Sequence, residues 1–229
     1  VTLSGGETKL VLFDLDGTLI DSEVGIVASI EYALTKLGAP LPPREELRKW
    51  IGPPLRATFP LALGDDAETI ERAVALYRER FTEIGWREYV VYAGIAETID
   101  TLARSGVKLA VVTSKVDLYA GKIVASLPFG AHFASVYAAA AGSAHSEKAT
   151  LIARALGDFG VDVRDTVMVG DRHFDIDGAL ANRVHALGVT WGFGDREELA
   201  AAGAHAIAES PRELASLLSG RARARAVSR

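Results

Sequence analysis

From about Tyr89 onward the chain alternates between short apolar runs and segments of helical period. This alternation narrows the available folds more than any other feature. Leu109-Ala110-Val111-Val112-Thr113 and Thr166-Val167-Met168-Val169 read as strands, with weaker strands at 133–140 and 186–190. Between them, 94–105, 117–127, 147–157 and 175–184 read as helices, and further helices are expected at 195–202 and 211–219. Strands separated by helices pair in parallel, because the crossover has to span the sheet and its helix then covers one face. The apolar run Lys9–Phe13 supplies a first, buried strand. After it the alternation stops. Ile26, Val27, Ile30, Leu34 and Leu37 keep helical spacing up to Gly38, and Pro40, Pro42 and Pro43 form a joint. Gly52-Pro53-Pro54 is a second break, followed by helical runs over 55–63 and from Ala67 to roughly Ile84. The expected fold is therefore α/β. A three-layer parallel-sheet core is formed by 1–20 and 90–220, an all-helical domain is inserted at 21–89, and a basic tail follows at 221–229.

The chain has 229 residues, 49% of them hydrophobic, enough for one large core and a small second domain. It has no cysteine, which excludes disulfides, thiol catalysis and Cys-based zinc sites and suits a reducing cytoplasm. A formal net charge of −5 argues against an electrostatic grip on nucleic acid or an anionic membrane. No uncharged apolar stretch reaches the roughly 18 residues of a membrane span. Val1–Thr8 is polar and does not read as a signal peptide. Arg221, Arg223, Arg225 and Arg229 are read as a solvated end.

Several expected strands end in residues suited to phosphate or metal. Asp14 and Asp16 follow the first, before Gly17. Thr113-Ser114-Lys115 ends the second, and Gly170-Asp171, with Asp175 four residues on, ends the Thr166–Val169 strand. Lys148 opens the helix after the weak strand. Ligands of open α/β sheets bind beyond the carboxyl ends of the strands, so one edge collects four carboxylates, two hydroxyls and an ammonium. Paired carboxylates hold a hard cation such as Mg²⁺ and also supply a nucleophile and an acid/base. A phosphate dianion has to be neutralised before a carboxylate approaches it, which a cation and a lysine do. Each position also has a plainer explanation. Asp-Gly suits a turn, Thr113 suits a strand, most lysines are solvated, and Asp175 would serve as the N-cap of its helix.

Taken together, Asp14-x-Asp16-x-Thr18, Thr113, Lys148 and Gly170-Asp171-x-x-x-Asp175 resemble the motif series of the haloacid dehalogenase superfamily of phosphohydrolases. The insertion between Asp16 and Thr113 resembles that family's small helical cap. Gly52-Pro53-Pro54-Leu55 and 171–194 are similar to its phosphoglycolate phosphatase-like and nucleotidase-like members. The resemblance implies a Rossmann-like core and a phosphomonoesterase acting through an aspartyl phosphate on a small phosphate ester. It implies Asp14 as nucleophile and Asp16 as acid and base. The Asp14 carboxylate, the Asp16 backbone carbonyl and the Asp171 carboxylate would bind Mg²⁺. Thr113 and the backbone at Ser114 would hold phosphoryl oxygens, Lys148 would neutralise phosphate and orient Asp14, and Asp175 would order the metal's surroundings. Thr18 would tie down the loop.

Two other activities compete: phosphoryl transfer within a sugar phosphate, and a non-catalytic regulatory protein that kept the fold. Thr18, where such mutases carry a bulkier aliphatic residue, favours hydrolysis, and the presence of both Asp14 and Asp16 favours catalysis. Phosphoglycolate, a sugar phosphate and a nucleoside monophosphate all remain open as substrates. The helical insertion is expected to set that choice, with Arg56 as the candidate contact to a substrate carboxylate or second anion. Arg172 and His173 lie beside the acids and are secondary candidates for substrate contact. Asp21 and Asp177 read as structural, and Lys115 matches the family lysine less well than Lys148. Gly192-Phe193-Gly194 starts a dinucleotide fingerprint, but Glu197 occupies the third glycine's place, so no dinucleotide site is expected. The histidines show no metal-ligand spacing, and the oligomeric state is not legible.

Overall fold

The computed structural model describes residues 7–140 and 147–223, with the backbone alone at 220–223. The chain divides into two compact units, one of Val1–Ile20 with Val91–Arg229 and one of Asp21–Val90. In chain order, β1 (Leu10–Phe13) and β2 (Ile20–Asp21) lead into the helices of the smaller unit. These are α1 (Glu23–Lys36), α2 (Arg44–Lys49), α3 (Leu55–Thr58), α4 (Pro60–Leu63) and α5 (Ala67–Glu83). Then come β3 (Val90–Val91), α6 (Ile95–Arg104), β4 (Lys108–Val116), α7 (Asp117–Ser126) and β5 (Phe133–Ala139). The chain continues through α8 (Lys148–Phe159), β6 (Thr166–Gly170), α9 (His173–Ala181) and β7 (His185–Val189). It closes with α10 (Arg196–Ala201), β8 (Ala206–Ala208) and α11 (Pro211–Arg223).

The larger unit is built on a six-stranded sheet in the order β5-β4-β1-β6-β7-β8, and every recorded pairing in it is parallel. Burial follows from that. Leu10, Val11, Leu12 and Phe13 of β1, and Val167, Met168 and Val169 of β6, are fully buried, as strands covered by helices on both faces must be. Ile152 and Ala155 of α8, Ile176 and Ala179 of α9 and Leu199 of α10 close over one face of the sheet.

The smaller unit is helical, apart from the strand residues at its ends. The buried face of α1 (Ile26, Val27, Ile30, Ala33, Leu34) and that of α5 (Ala73, Val74, Tyr77, Phe81) form its core. Asp66 caps α5 by accepting the Thr69 N–H at 2.9 Å. Arg80 holds Glu88 through two bonds of 2.8 and 3.1 Å. A Cβ at Gly25 would overlap the Gly85 carbonyl, so α1 meets the chain after α5 where no side chain fits.

Some local expectations need correction. The run 55–63 is two short helices rather than one, with Pro60 opening the second, where its missing N–H costs nothing. The helix expected from 175 begins two residues earlier, at His173. Helix α2 and strands β2, β3 and β8, six residues or fewer each, were not anticipated. No helix among the described residues is long and apolar enough to cross a membrane. Beyond the α11 backbone, the arginine tail lies outside the described residues, as does His145.

Candidate active site

Strand β1 lies between β4 and β6. The chain runs from β1 through β4 to β5 on one side, then returns to β6 and continues outward through β7 to β8. This reversal leaves a crevice at the carboxyl ends of the central strands. Asp14 lies there directly after β1, its N–H donated to the Val169 carbonyl at 2.9 Å. The chain then turns back on itself, with Gly17 N–H bonded to the Ile20 carbonyl at 2.8 Å. Gly17 has φ +83°, and a Cβ there would overlap the Asp171 carboxylate, so both backbone and space require glycine. Thr18 is fully buried; its hydroxyl reaches Asp171 Oδ1 at 3.3 Å and its carbonyl accepts the Trp191 indole N–H at 3.1 Å.

Lys148, at the first turn of α8, is buried against acids. Its Nζ donates to Asp14 Oδ1 at 2.7 Å and to the Val112 carbonyl at 3.2 Å, and lies 2.7 Å from Asp175 Oδ1. Burial acts to discharge this ammonium, but Asp14 and Asp175 outweigh it and hold Lys148 above the usual lysine range. Burial pushes the Asp14 carboxyl up to about 6 against the downward pull of Lys148, and Asp175 and Asp16 add to the rise. Asp171 is fully buried and accepts the Phe193 N–H at 2.8 Å. Burial, then the charges of Asp175 and Asp14, hold its carboxyl well above the usual range. The plainer reading of Asp175 as the N-cap itself needs correction: Arg172 occupies the cap position, and Asp175 stands inside the first turn of α9, where Oδ2 accepts the Arg172 N–H at 3.1 Å. Its Oδ1 is buried and accepts no aligned hydrogen bond.

Among the described residues, Asp14, Asp171 and Asp175 each offer an oxygen, and the three oxygens lie within 4.8 Å of one another. Three buried carboxylates at that separation, two of them pushed toward protonation and two, Asp14 and Asp175, sharing the Lys148 ammonium, fit a divalent cation: hard oxygen donors whose repulsion a metal would relieve.

The remaining expected residues divide. Thr113 is buried on β4 and its hydroxyl accepts the Lys115 N–H at 3.2 Å. Ser114, the next residue of β4, is exposed, and the strand runs on to Val116, beyond the end expected at Thr113. Asp16 does not join the three-carboxylate group, because its two oxygens are held by Lys115 Nζ at 2.9 and 2.7 Å. The β4–β5 ladder shifts register between Thr113 and Val116, and Lys115, two residues past Thr113 on the same strand, lies on the half-buried side while Ser114 is exposed. Arg56 belongs to the smaller unit, where its guanidinium forks onto both oxygens of Glu71.

Sequence reasoning passed over three features. One is the pairing of Lys115 with Asp16. A second is Gly192-Phe193-Gly194, read as a failed dinucleotide motif. A Cβ at Gly192 would overlap the Asp171 carboxylate and the Gly17 carbonyl, so these glycines mark a close backbone approach to Asp171. The third is Glu198, which accepts from Arg172 and His173. A carboxylate on a surface-type helix carries no local signal of such a role.

Comparison with known proteins identifies the family. A family model described as haloacid dehalogenase-like hydrolase matches residues 11–189. A 5'-nucleotidase of Pseudomonas aeruginosa is 39% identical over 191 residues, 83% of this chain and 86% of that protein. Tyrosine-protein kinase PtkA of Mycobacterium tuberculosis is 37% identical over 83% of this chain, which spans only 65% of that protein's length. The crystal structure of a predicted phosphatase from Clostridium acetobutylicum superposes with a TM-score of 0.86 at 36% identity, covering 92% of this chain and 98% of that one. With its acids, threonine and lysine gathered at the carboxyl ends of a parallel sheet, this chain belongs to the haloacid dehalogenase-like hydrolase family and is a phosphohydrolase.

Proposed function

We propose that the protein is a Mg²⁺-dependent phosphomonoesterase that hydrolyses a small phosphorylated metabolite through an aspartyl phosphate. The observation that carries this reading is Asp14. It is a buried carboxylate at the crevice of the sheet, bonded to a buried lysine and flanked by two further buried acids. The Asp14 and Asp171 carboxylates and the Asp16 backbone carbonyl would hold Mg²⁺, with Asp175 in support. Bound there, the metal would neutralise the phosphate dianion and the charge that gathers on its oxygens.

The side chains divide the remaining work. Asp14 attacks phosphorus, and as its Oδ–P bond forms, the bond from phosphorus to the leaving oxygen breaks. Asp16 gives that oxygen a proton, then takes one from the water that attacks the aspartyl phosphate, releasing inorganic phosphate and regenerating both carboxyl groups. The Thr113 hydroxyl and the Ser114 N–H hold phosphoryl oxygens. Lys148 keeps Asp14 oriented and compensates charge. Phosphoglycolate, a sugar phosphate and a nucleoside monophosphate are the candidate substrates. The nucleoside monophosphate gains weight from the 39% identity to a 5'-nucleotidase. Discrimination among them we assign to the 21–90 unit, with Arg56 as a candidate contact.

The test is release of inorganic phosphate from p-nitrophenyl phosphate and from a panel of these esters. The expected result is turnover with Mg²⁺ and near-complete loss after chelation, restored by added Mg²⁺. Undiminished turnover in excess chelator overturns the metal assignment, and absence of turnover across the panel overturns the phosphomonoesterase reading.

A further inference from the structure

Asp171 and Asp175 stand on either side of the start of α9, so the path of the chain through Arg172 and His173 sets the distance between their carboxylates. Besides Asp175 Oδ2, which accepts the Arg172 N–H, the side chain of Glu198 on α10 holds that path. Glu198 Oε1 accepts the Arg172 Nε–H at 2.9 Å and the His173 backbone N–H at 2.8 Å, and lies 2.7 Å from the His173 ring Nδ1. Glu198 Oε2 takes a longer contact of 3.3 Å from the same Arg172 Nε. These are charge-assisted bonds around a carboxylate only 24% exposed, and a negative charge suits the N-terminal end of a helix.

Glu198 is itself anchored. Its N–H donates to Asp195 Oδ1 at 2.8 Å, and the next residue, Leu199, is fully buried in the core. The chain leading to it also touches the acids. Phe193 N–H bonds Asp171 Oδ2 at 2.8 Å, and Gly194 lies against the Asp171 backbone where a Cβ would overlap the carbonyl. The segment 192–198 is thus one brace with two contacts. Phe193 meets the Asp171 carboxylate, and Glu198 meets the two residues that follow it in the chain.

We propose that Glu198 is a positioning residue for the divalent cation, holding Arg172 and His173 so that Asp171 and Asp175 keep the separation a metal needs. This rests on the reading that these acids bind such a cation. Groups that orient ligands from behind typically govern affinity by about 10–100-fold. Metal affinity, more than overall stability, is therefore the quantity Glu198 controls.

The experiment is isothermal titration calorimetry of the full chain with Mg²⁺, with the rise of Tm on Mg²⁺ addition measured in parallel. Wild type is compared with Glu198→Ala and Glu198→Gln. Glu198→Ala is expected to raise the Kd for Mg²⁺ by about tenfold or more. Glu198→Gln keeps an acceptor oxygen but loses the charge, and is expected to fall between the two. A Kd within twofold of wild type in the folded variants overturns the assignment, even if the metal-free Tm falls, because that result makes Glu198 a purely structural residue. Should Glu198→Ala not fold, the glutamine variant decides by the same criterion. Failure of wild type itself to bind Mg²⁺ overturns the cation reading and this inference with it, whereas binding by wild type with unchanged variants overturns this inference alone.

Discussion

As the proposed nucleophile, Asp14 is under two opposed demands, because a nucleophile has to be ionised and its surroundings resist ionisation. Burial raises its carboxyl from 3.8 to about 6, and Lys148 offsets only part of the rise. An acid whose folded-state pKa lies above its unfolded value stabilises the fold below the unfolded pKa and loses that contribution as pH rises through the folded one. The window here is about 3.8 to about 6. In chelator, Asp14→Asn should therefore match the wild-type Tm near pH 4 and exceed it above pH 6, with Lys148 still paired to Asp175. A gap that is constant across pH 4–7, or of opposite sign, would refute the assignment of that strain to Asp14. The same variant should have no measurable turnover, since an amide forms no phosphoenzyme, and phosphate release near the wild-type rate would remove Asp14 as nucleophile. The placing of Asp14 and Asp171 directly after β1 and β6 was legible because an apolar run fixes where a strand stops, whereas β4 runs on to Val116, three residues past the end expected at Thr113. The partner of Asp16 was not legible. Lys115 and Asp16 are 99 residues apart in sequence, and their meeting depends on the pairing of β4 beside β1, which no local pattern announces.

At the scale of elements, the connection from β7 to α10 approaches Asp171 closely and gave little warning of it in the sequence. Gly192 and Gly194 are glycines because the chain passes against Asp171 and the Gly17 carbonyl. Gly192→Ala should push that connection off Asp171, removing the Phe193 hydrogen bond. Overpacking of this kind costs about 1–3 kcal/mol, and a group held to ångström precision suffers more in rate than in stability. We expect a lower Tm in thermal denaturation and at least about a tenfold fall in kcat for a generic phosphomonoester. Unchanged kcat with lowered Tm would mean that the connection supports the fold and not the acids. Elements with a strong apolar signal, such as α5 and the buried run of β6, were legible from sequence. Short ones were not: β8 is three residues held by its neighbour β7, and α3 and α4 are single turns separated at Pro60. Their stability comes from tertiary packing, to which propensity is only a weak guide.

At the scale of the whole molecule, the chain separates a chemical unit from a second one inserted between its first two motifs. The proposed catalytic residues all belong to the unit of Val1–Ile20 with Val91–Arg229, and on that proposal Asp21–Val90 is the part that would vary with substrate. Arg56 is the candidate for that task, and its present partner bears on the test. Both Arg56 and Glu71 are well exposed, so their ion pair contributes little to stability and a substrate anion can displace it. If Arg56 reads the substrate, Glu71 is its competitor. Arg56→Ala should then lower kcat/KM for the preferred ester by about tenfold or more while leaving p-nitrophenyl phosphate almost unaffected. Glu71→Gln should act in the opposite sense, lowering KM for the preferred ester, because the guanidinium no longer has to leave a carboxylate to reach the substrate. A structural ion pair makes a different forecast: both variants would shift Tm slightly and change neither kinetic constant selectively. Steady-state kinetics of the two variants on the two substrates separates these outcomes. Equal, small effects on both esters would remove Arg56 from recognition and leave substrate choice to other residues of the helical unit.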